Sequence, residues 1–373
     1  MAFGFTLEHR DGRARAGRLR LARGGEIETP VFMPVGTQAV VKTLSAQDLD
    51  DLGARMILCN AYHLYLRPGH ERVAALGGLN RFMGWGGGVI TDSGGYQVFS
   101  LAPRRKLSPR GVEFSSHVDG SRHMFTPESS VDMQRALGAD IAMALDVCAP
   151  FPAAREEVEE SVRLTTDWAR RSREQHARAG DGQVLFGIVQ GGVVPEARAA
   201  SVRALLELDF PGYGIGGLSV GEGSERMQAV LDMLDPRLPE DRPRYLMGVG
   251  TPEDLWAAVA RGVDMFDCAM PTRIARNGTL FTSRGRLVIR NAAHATDPRP
   301  PDPACACPLC RRHSRAYLRH LFNANETTAL RLSTLHNLTF MVKLAGFIRK
   351  AIKNNGFSEA EKRFFADYRR GPS

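Results

Sequence analysis

The sequence predicts an α/β protein built as a (β/α)8 TIM barrel, with an insertion between the eighth strand and the last helix. Three observations lead there. Eight short apolar, β-rich runs recur along the chain, each ended by Gly, Pro or a polar cluster. Helical patterns separate most of them, and strands alternating with helices imply parallel βαβ units. A chain of 373 residues exceeds an ordinary domain but suits one large barrel plus an insertion.

The first runs are Val31–Val35 (VFMPV), Arg55–Cys59 (RMILC), Val89–Asp92 (VITD) and Asp140–Asp146 (DIAMALD). Val184–Gln190 (VLFGIVQ), Tyr213–Leu218 (YGIGGL), Tyr245–Val249 (YLMGV) and Val263–Cys268 (VDMFDC) complete the eight. Helices are expected over Arg155–Gln175, Glu196–Leu208 and Pro252–Ala260. The longest gap, Thr91 to Asp140, contains SLAPRRKLSPRGVEFSSHVDGSRHMF. Its alternation reads as a loop with a small hairpin over the catalytic end. Phe281–Arg290 (FTSRGRLVIR) reads as a hairpin after the eighth strand, ahead of a cysteine cluster. A helix from about Asn337 (LTFMVKLAGFIRKAIKN) then completes the barrel. The expected parts are residues 1–272 for the eight strands, 273–336 for the insertion, and 337–373 for the closing helix and a basic tail. No internal repeat or low-complexity tract stands out.

The chain is 43% hydrophobic, enough to bury a core without disulfide staples. Its six cysteines are unevenly placed: Cys59, Cys148 and Cys268 stand alone, while Cys305, Cys307 and Cys310 are packed together. Clustered thiols outside a small secreted chain point to metal. The N-terminal MAFGFTLEHRDGRARAGRLR has no apolar leader core, and no stretch reaches the roughly 18 apolar residues of a membrane helix. A soluble, cytoplasmic protein with no membrane partner is expected. From Met270 onward nineteen Lys and Arg stand against six Asp and Glu, so that stretch carries +13 and residues 1–269 carry −5. An acidic body joined to a basic region suggests a polyanionic partner such as nucleic acid, against the plainer alternative of a solvated basic face.

The ends of the runs carry the chemistry. TDSGGYQ, ALDVC, VQGG, GIGGLSVGE, MGVGTP and FDCAMPTR fall where a barrel builds its active site. One aspartate ending an apolar strand is often a helix cap or turn former. Asp92, Asp146 and Asp267 together, with Gln190 and several glycine turns, favour a catalytic cleft. A metal-dependent barrel hydrolase would need convergent histidines there, and the run ends offer none.

At these residues the chain resembles the tRNA-guanine transglycosylase family, most closely its bacterial members. The likeness runs from about Phe3 to about Asn354, through DSGGYQVFS, ALDVC, QGG, GGLSVGE, MGVGTPEDL, FDCAMPTRIARNG and the CxC-x2-C…H cluster. It implies exchange of the wobble guanine of a tRNA anticodon for 7-aminomethyl-7-deazaguanine, in queuosine biosynthesis. Asp267 matches the nucleophile that attacks the ribose anomeric carbon to give a covalent RNA intermediate. Asp92 matches the general acid/base. Asp146 and Gln190 match groups bonding the purine edge, with Gly217 offering its N–H, within a substrate set that includes Ser93, Gly94 and Gly95. Tyr96 and Met247 match the two faces that sandwich the base. Cys148 and Val220 correspond to residues shaping the pocket for the aminomethyl group, and the Leu218 carbonyl and Glu222 carboxylate to those meeting its amine. Two segments match RNA contacts: Gly248, Val249, Gly250, Thr251, Pro252, Glu253 and Asp254; and Thr272, Arg273, Ile274, Ala275 and Arg276. A non-catalytic relative would have lost the nucleophile, and this chain keeps Asp92 and Asp267.

Cys305, Cys307 and Cys310 supply three thiolates, and a tetrahedral structural Zn2+ site needs a fourth ligand. Spacing alone leaves His313, His320 and His336 open. The resemblance picks His336, making 273–336 a zinc-binding insertion. It also implies a homodimer through this region, with Tyr317 and His320 matching the interface. This chain departs at His313, where relatives often carry an aromatic residue, and at Ala269, where many carry Val.

Overall fold

The computed structural model describes residues 2–101, 105–180 and 182–371. The chain opens with an antiparallel sheet of β1 (Gly4–Asp11), β2 (Ala14–Arg20) and β3 (Glu26–Thr29). Three barrel strands follow: β4 (Val31–Met33), β5 (Met56–Cys59) and β6 (Gly88–Thr91). A side sheet of β7 (Arg105–Ser108), β8 (Gly111–Ser115) and β9 (Arg122–Phe125) comes next. The barrel resumes with β10 (Ile141–Met143), β11 (Val184–Val189), β12 (Tyr213–Ile215), β13 (Arg244–Leu246) and β14 (Met265–Asp267). A hairpin of β15 (Thr279–Thr282) and β16 (Gly285–Val288) follows it.

Around the barrel the parallel order is β4-β14-β13-β12-β11-β10-β6-β5. The ring closes where Val35 bridges Leu58, whose N–H donates to the Pro34 carbonyl at 3.0 Å. Each expected run overlaps its strand, but most of the strands are shorter: β10 is Ile141–Met143 within Asp140–Asp146. Past the ladder the strands splay and turn their polar residues to the mouth, so run and ladder end at different places. Alternation sorts the side chains. Met56, Leu58, Ile90, Ile141, Met143, Phe186, Ile188, Tyr245 and Met265 form the interior core, while Ile57, Cys59, Val89, Ala142, Leu246 and Phe266 pack under the helices.

The sheet β1–β3, unassigned from sequence, covers the N-terminal end of the barrel. Leu19, Leu21 and Ile27 join the interior core there. Arg15 on β2 meets Asp264, just before β14, at 3.2 Å with both side chains buried. The other Asp264 oxygen accepts the Arg244 N–H at 2.8 Å. At Gly17 a Cβ would lie 2.6 Å from the Thr6 carbonyl oxygen, so only glycine allows this close approach.

The helices Arg155–His176, Pro195–Leu206 and Pro252–Val259 lie close to their expected bounds. The gap before β10 holds more than a hairpin. It contains helix Gly95–Leu101, the three-stranded sheet and helix Pro127–Leu137, while residues 102–104 lie outside the described residues. The extra strand forms because Phe114 and Phe125 bury against Tyr62 on helix Ala61–Leu66, which gives the small sheet a face to cover.

Beyond the barrel, β15, β16 and helices Pro308–Arg312 and Arg315–Asn323 share a separate core of Leu280, Leu287, Ile289, Leu309, Leu318 and Phe322. The closing helix begins at Thr327 rather than near Asn337 and runs to Lys353, so His336 lies inside it. Thr327, Thr328, Ser333 and Thr334 give its first turns weak helix propensity, and burial of Ala329, Leu332 and Leu335 overrides that. A further helix, Phe357–Tyr368, packs Phe357 and Phe364 on Trp256. Among the described residues no helix is long and apolar enough to cross a membrane.

Candidate active site

Four polar residues stand at the C-terminal end of the barrel. Asp267 ends β14, Asp92 follows β6, Gln190 follows β11 and Asp146 lies three residues past β10. All four are buried.

Asp267 presents its two oxygens differently. Oδ1 accepts the Tyr245 hydroxyl at 2.6 Å and the Gly248 N–H at 2.7 Å. Oδ2 has no hydrogen bond among the described residues. Burial lifts its pKa above the ordinary carboxylate range, while the two donors pull it back. Burial and the adjacent carboxylate drive the Tyr245 phenol well up, so it remains a donor.

Asp92 is held from the start of helix Ala61–Leu66. Its Oδ1 accepts the Ala61 N–H at 2.8 Å and its Oδ2 the Asn60 side-chain amide at 2.5 Å. Burial raises its pKa to about 6; Asn60 and Ala61 oppose the rise and the charge of Asp267 adds to it. A carboxyl tuned this way can give and recover a proton near neutral pH.

Asp146 and Gln190 form a second pair. Asp146 accepts the Ser93 hydroxyl at 2.8 Å and the Gln190 Nε2–H at 2.7 Å. Burial raises its pKa. The Gln190 Oε1 is buried with no partner among the described residues. Gly217 has φ +65°, and a Cβ there would lie 2.3 Å from that oxygen, so glycine is required on both counts. The adjoining loop is pinned by buried Glu222, whose carboxylate accepts the Ser219 and Val220 N–H groups at 2.5 and 2.9 Å. Each of its oxygens keeps a second lone-pair direction. Leu218 is buried and Val220 half-buried; the half-buried Cys148 thiol is pushed up to about 12 by burial. Gly94 and Gly95 are buried beside Ser93, and the Gly95 N–H donates to the Ser93 oxygen at 3.1 Å. Met247 is half-buried, and Tyr96, on helix Gly95–Leu101, is 50% exposed.

The two segments expected to touch RNA are mixed. Gly248, Glu253 and Arg273 are exposed; Thr251, Asp254, Ile274 and Arg276 are half-buried. Val249, Gly250, Pro252, Thr272 and Ala275 are buried. Thr251 caps helix Pro252–Val259 by accepting the Asp254 N–H at 3.0 Å, and Thr272 donates to the Ala269 carbonyl at 3.0 Å.

Cys305, Cys307, Cys310 and His336 place their ligand atoms within 4.8 Å of one another, a grouping consistent with a metal site. The His336 Nδ1 lies 3.4 and 3.2 Å from the Cys307 and Cys310 sulfurs, and its Nε2 lies 2.7 Å from the Phe281 carbonyl oxygen. A carbonyl can only accept, so Nε2 carries the proton and Nδ1 turns its lone pair toward the sulfurs. His313 instead stacks on Tyr317 with ring centroids 4.9 Å apart, and His320 is exposed. The grouping includes none of the strand-end aspartates. Sequence reasoning missed Asn60 and Tyr245, the donors to the two aspartates.

Fold and site together define a parallel α/β barrel with buried carboxylates at the C-terminal ends of its strands and a Cys3His grouping that includes none of them. The sequence profile of the family described as Queuine tRNA-ribosyltransferase matches residues 11–370. The Queuine tRNA-ribosyltransferase of Desulforudis audaxviator is 58% identical over 355 residues, 95% of each chain. That of Pelotomaculum thermopropionicum is 55% identical over 370 residues, 99% of each. That of Symbiobacterium thermophilum is 54% identical over 373 residues, covering 100% of this chain and 93% of the relative. The chain belongs to the queuine tRNA-ribosyltransferase family, the tRNA-guanine transglycosylases, which are pentosyltransferases of queuosine biosynthesis.

Proposed function

We propose that this chain exchanges the wobble guanine of a tRNA anticodon for 7-aminomethyl-7-deazaguanine by double displacement. The observation that carries the reading is the asymmetry of Asp267: one oxygen is tied by two donors and the other is left free, near enough to Asp92 for the two carboxyls to feel each other's charge. The free oxygen attacks the ribose anomeric carbon as the glycosidic bond breaks, and the bond's electron pair leaves with guanine. Asp92 supplies the proton that the departing purine needs. The incoming base then gives a proton to Asp92, attacks the same carbon and releases the Asp267 carboxylate.

Asp146 and Gln190 supply acceptor and donor groups for the purine's edge, with the Gly217 N–H beside them. Ser93, Gly94 and Gly95 shape that pocket, and Tyr96 and Met247 sandwich the base. Cys148, Val220, the Leu218 carbonyl and Glu222 accommodate the aminomethyl group. Residues 248–254 and 272–276 contact the anticodon stem-loop, Arg273 through phosphates and others through backbone groups. The donor chemistry of Cys305, Cys307, Cys310 and His336 fits one Zn2+ per chain. Three thiolates and an imidazole leave no open position, so the ion stabilises the insertion. Tyr317, which is 42% exposed, and the exposed His320 give that insertion a face for a homodimer.

Labelled guanine exchange into an anticodon stem-loop tests the reading. Asp267→Asn should yield no denaturant-resistant RNA adduct, while Asp92→Asn should slow exchange; undiminished adduct from the Asp267 variant sinks the nucleophile assignment. In direct competition the aminomethyl base should be preferred over queuine, and the reverse preference would overturn the substrate choice.

A further inference from the structure

Helix Pro195–Leu206 carries a residue with no part in the chemistry described so far. Arg198 has 0% of its surface exposed, yet among the described residues no carboxylate pairs with it. Three backbone carbonyls hold its guanidinium instead. Nε donates to Gly192 at 2.8 Å, Nη1 to Val189 at 2.9 Å and Nη2 to Gly217 at 3.4 Å. Val189 immediately precedes Gln190, so one planar fork joins the loop after β11 to the loop after β12. Gln190 and Arg198 flank Gly217 closely: a Cβ there would lie 2.3 Å from the Gln190 Oε1 and 3.6 Å from the Arg198 Nη2.

A buried cation without a counter-ion is costly, and an apolar residue would fill this helix position with less penalty. Burial pulls its pKa down to about 10, which still leaves it charged at neutral pH. The carboxylate whose charge it senses is Glu222, placed above in the base pocket.

We propose that Arg198 is a positioning residue for the six-oxo edge of the purine, fixing the Gly217 peptide and Gln190 and placing a positive charge behind them. The inference rests on the base-exchange reading above. When the glycosidic bond breaks, its electron pair stays with the purine and part of that charge moves onto the carbonyl oxygen. A fixed cation behind the donors to that oxygen stabilises the charge as it develops, until Asp92 delivers the proton. A purine with an amine at that position would set donor against donor and be rejected.

The test compares the natural chain with Arg198→Met and Arg198→Lys in labelled guanine exchange, recording each thermal midpoint and using 2,6-diaminopurine as competitor. Losing hydrogen bonds from a charged group should raise the guanine KM of Arg198→Met about 10- to 100-fold. The RNA KM should rise much less, since only the wobble base of the RNA enters this pocket and its other contacts lie elsewhere. Lysine keeps the charge but cannot span all three carbonyls, so Arg198→Lys should recover only part of the loss. Discrimination against diaminopurine should fall in both variants. An unchanged guanine KM in either folded variant, or guanine and RNA KM rising by the same factor, overturns the proposal. If Arg198→Met does not fold, Arg198→Lys decides by the same criteria. Absence of exchange by the natural chain would remove the base-exchange reading and this inference with it, a result distinct from an active enzyme whose variants keep their guanine KM.

Discussion

One oxygen of Asp267 takes both of its hydrogen bonds, and Tyr245 supplies one of them from a buried position inside the barrel. Tyr245→Phe keeps the ring and removes the donor. It should lower kcat roughly 10- to 100-fold with little change in KM or thermal midpoint, as steady-state exchange will show. Asp92 gives a pH signature. Its raised pKa, about 6, means the proton needed for guanine departure is lost as pH rises through that value. Single-turnover adduct formation should therefore decline above about pH 6, and Asp92→Asn should flatten that limb. The three aspartates were legible because a charge ending an apolar run has no packing role. Tyr245 and Asn60 were not, because a tyrosine in a strand reads as core and an asparagine after one reads as a turn. Arg198 left a fainter mark: it occupies the same buried stripe as Ala197, Ser201, Val202 and Leu205.

Among the elements, the N-terminal sheet shows how a sequence can hide a strand. In β2, Ala14, Ala16 and Leu19 are buried while Arg20 is exposed, but buried Arg15 and Gly17 blur the alternation. The meaning of Arg15 comes from Asp264, 249 residues away, which no local pattern reveals. Arg15→Met leaves that buried carboxylate with one backbone donor and should cost about 3–5 kcal/mol by urea denaturation. Adding Asp264→Asn should recover part of the loss, because the unpaired charge is then gone. The closing helix was foreseen in its apolar part and missed in its Thr- and Ser-rich opening, where packing overrides propensity. The side sheet was read as a hairpin because its third strand depends on the Tyr62 face it covers.

At the scale of the whole molecule, barrel and insertion are joined by helix Thr327–Lys353. His336 lies within it, and its far end reaches β3 and the turn into the first barrel strand: Arg349 donates to the Pro30 carbonyl at 2.8 Å, and Lys353 pairs with Glu28 at 2.8 Å. The eight-strand architecture was legible from periodicity alone, whereas this linkage was not, since it joins residues about 300 positions apart. Thiol-specific titration of the holoprotein should release one Zn2+ per chain, and Cys310→Ser should lower both metal content and thermal midpoint. The helix that forms the last wall of the barrel also carries His336, so with the proposed Zn2+ in place the insertion and that wall would hold one another. Loss of that ion would then loosen the closure of the barrel along with the insertion.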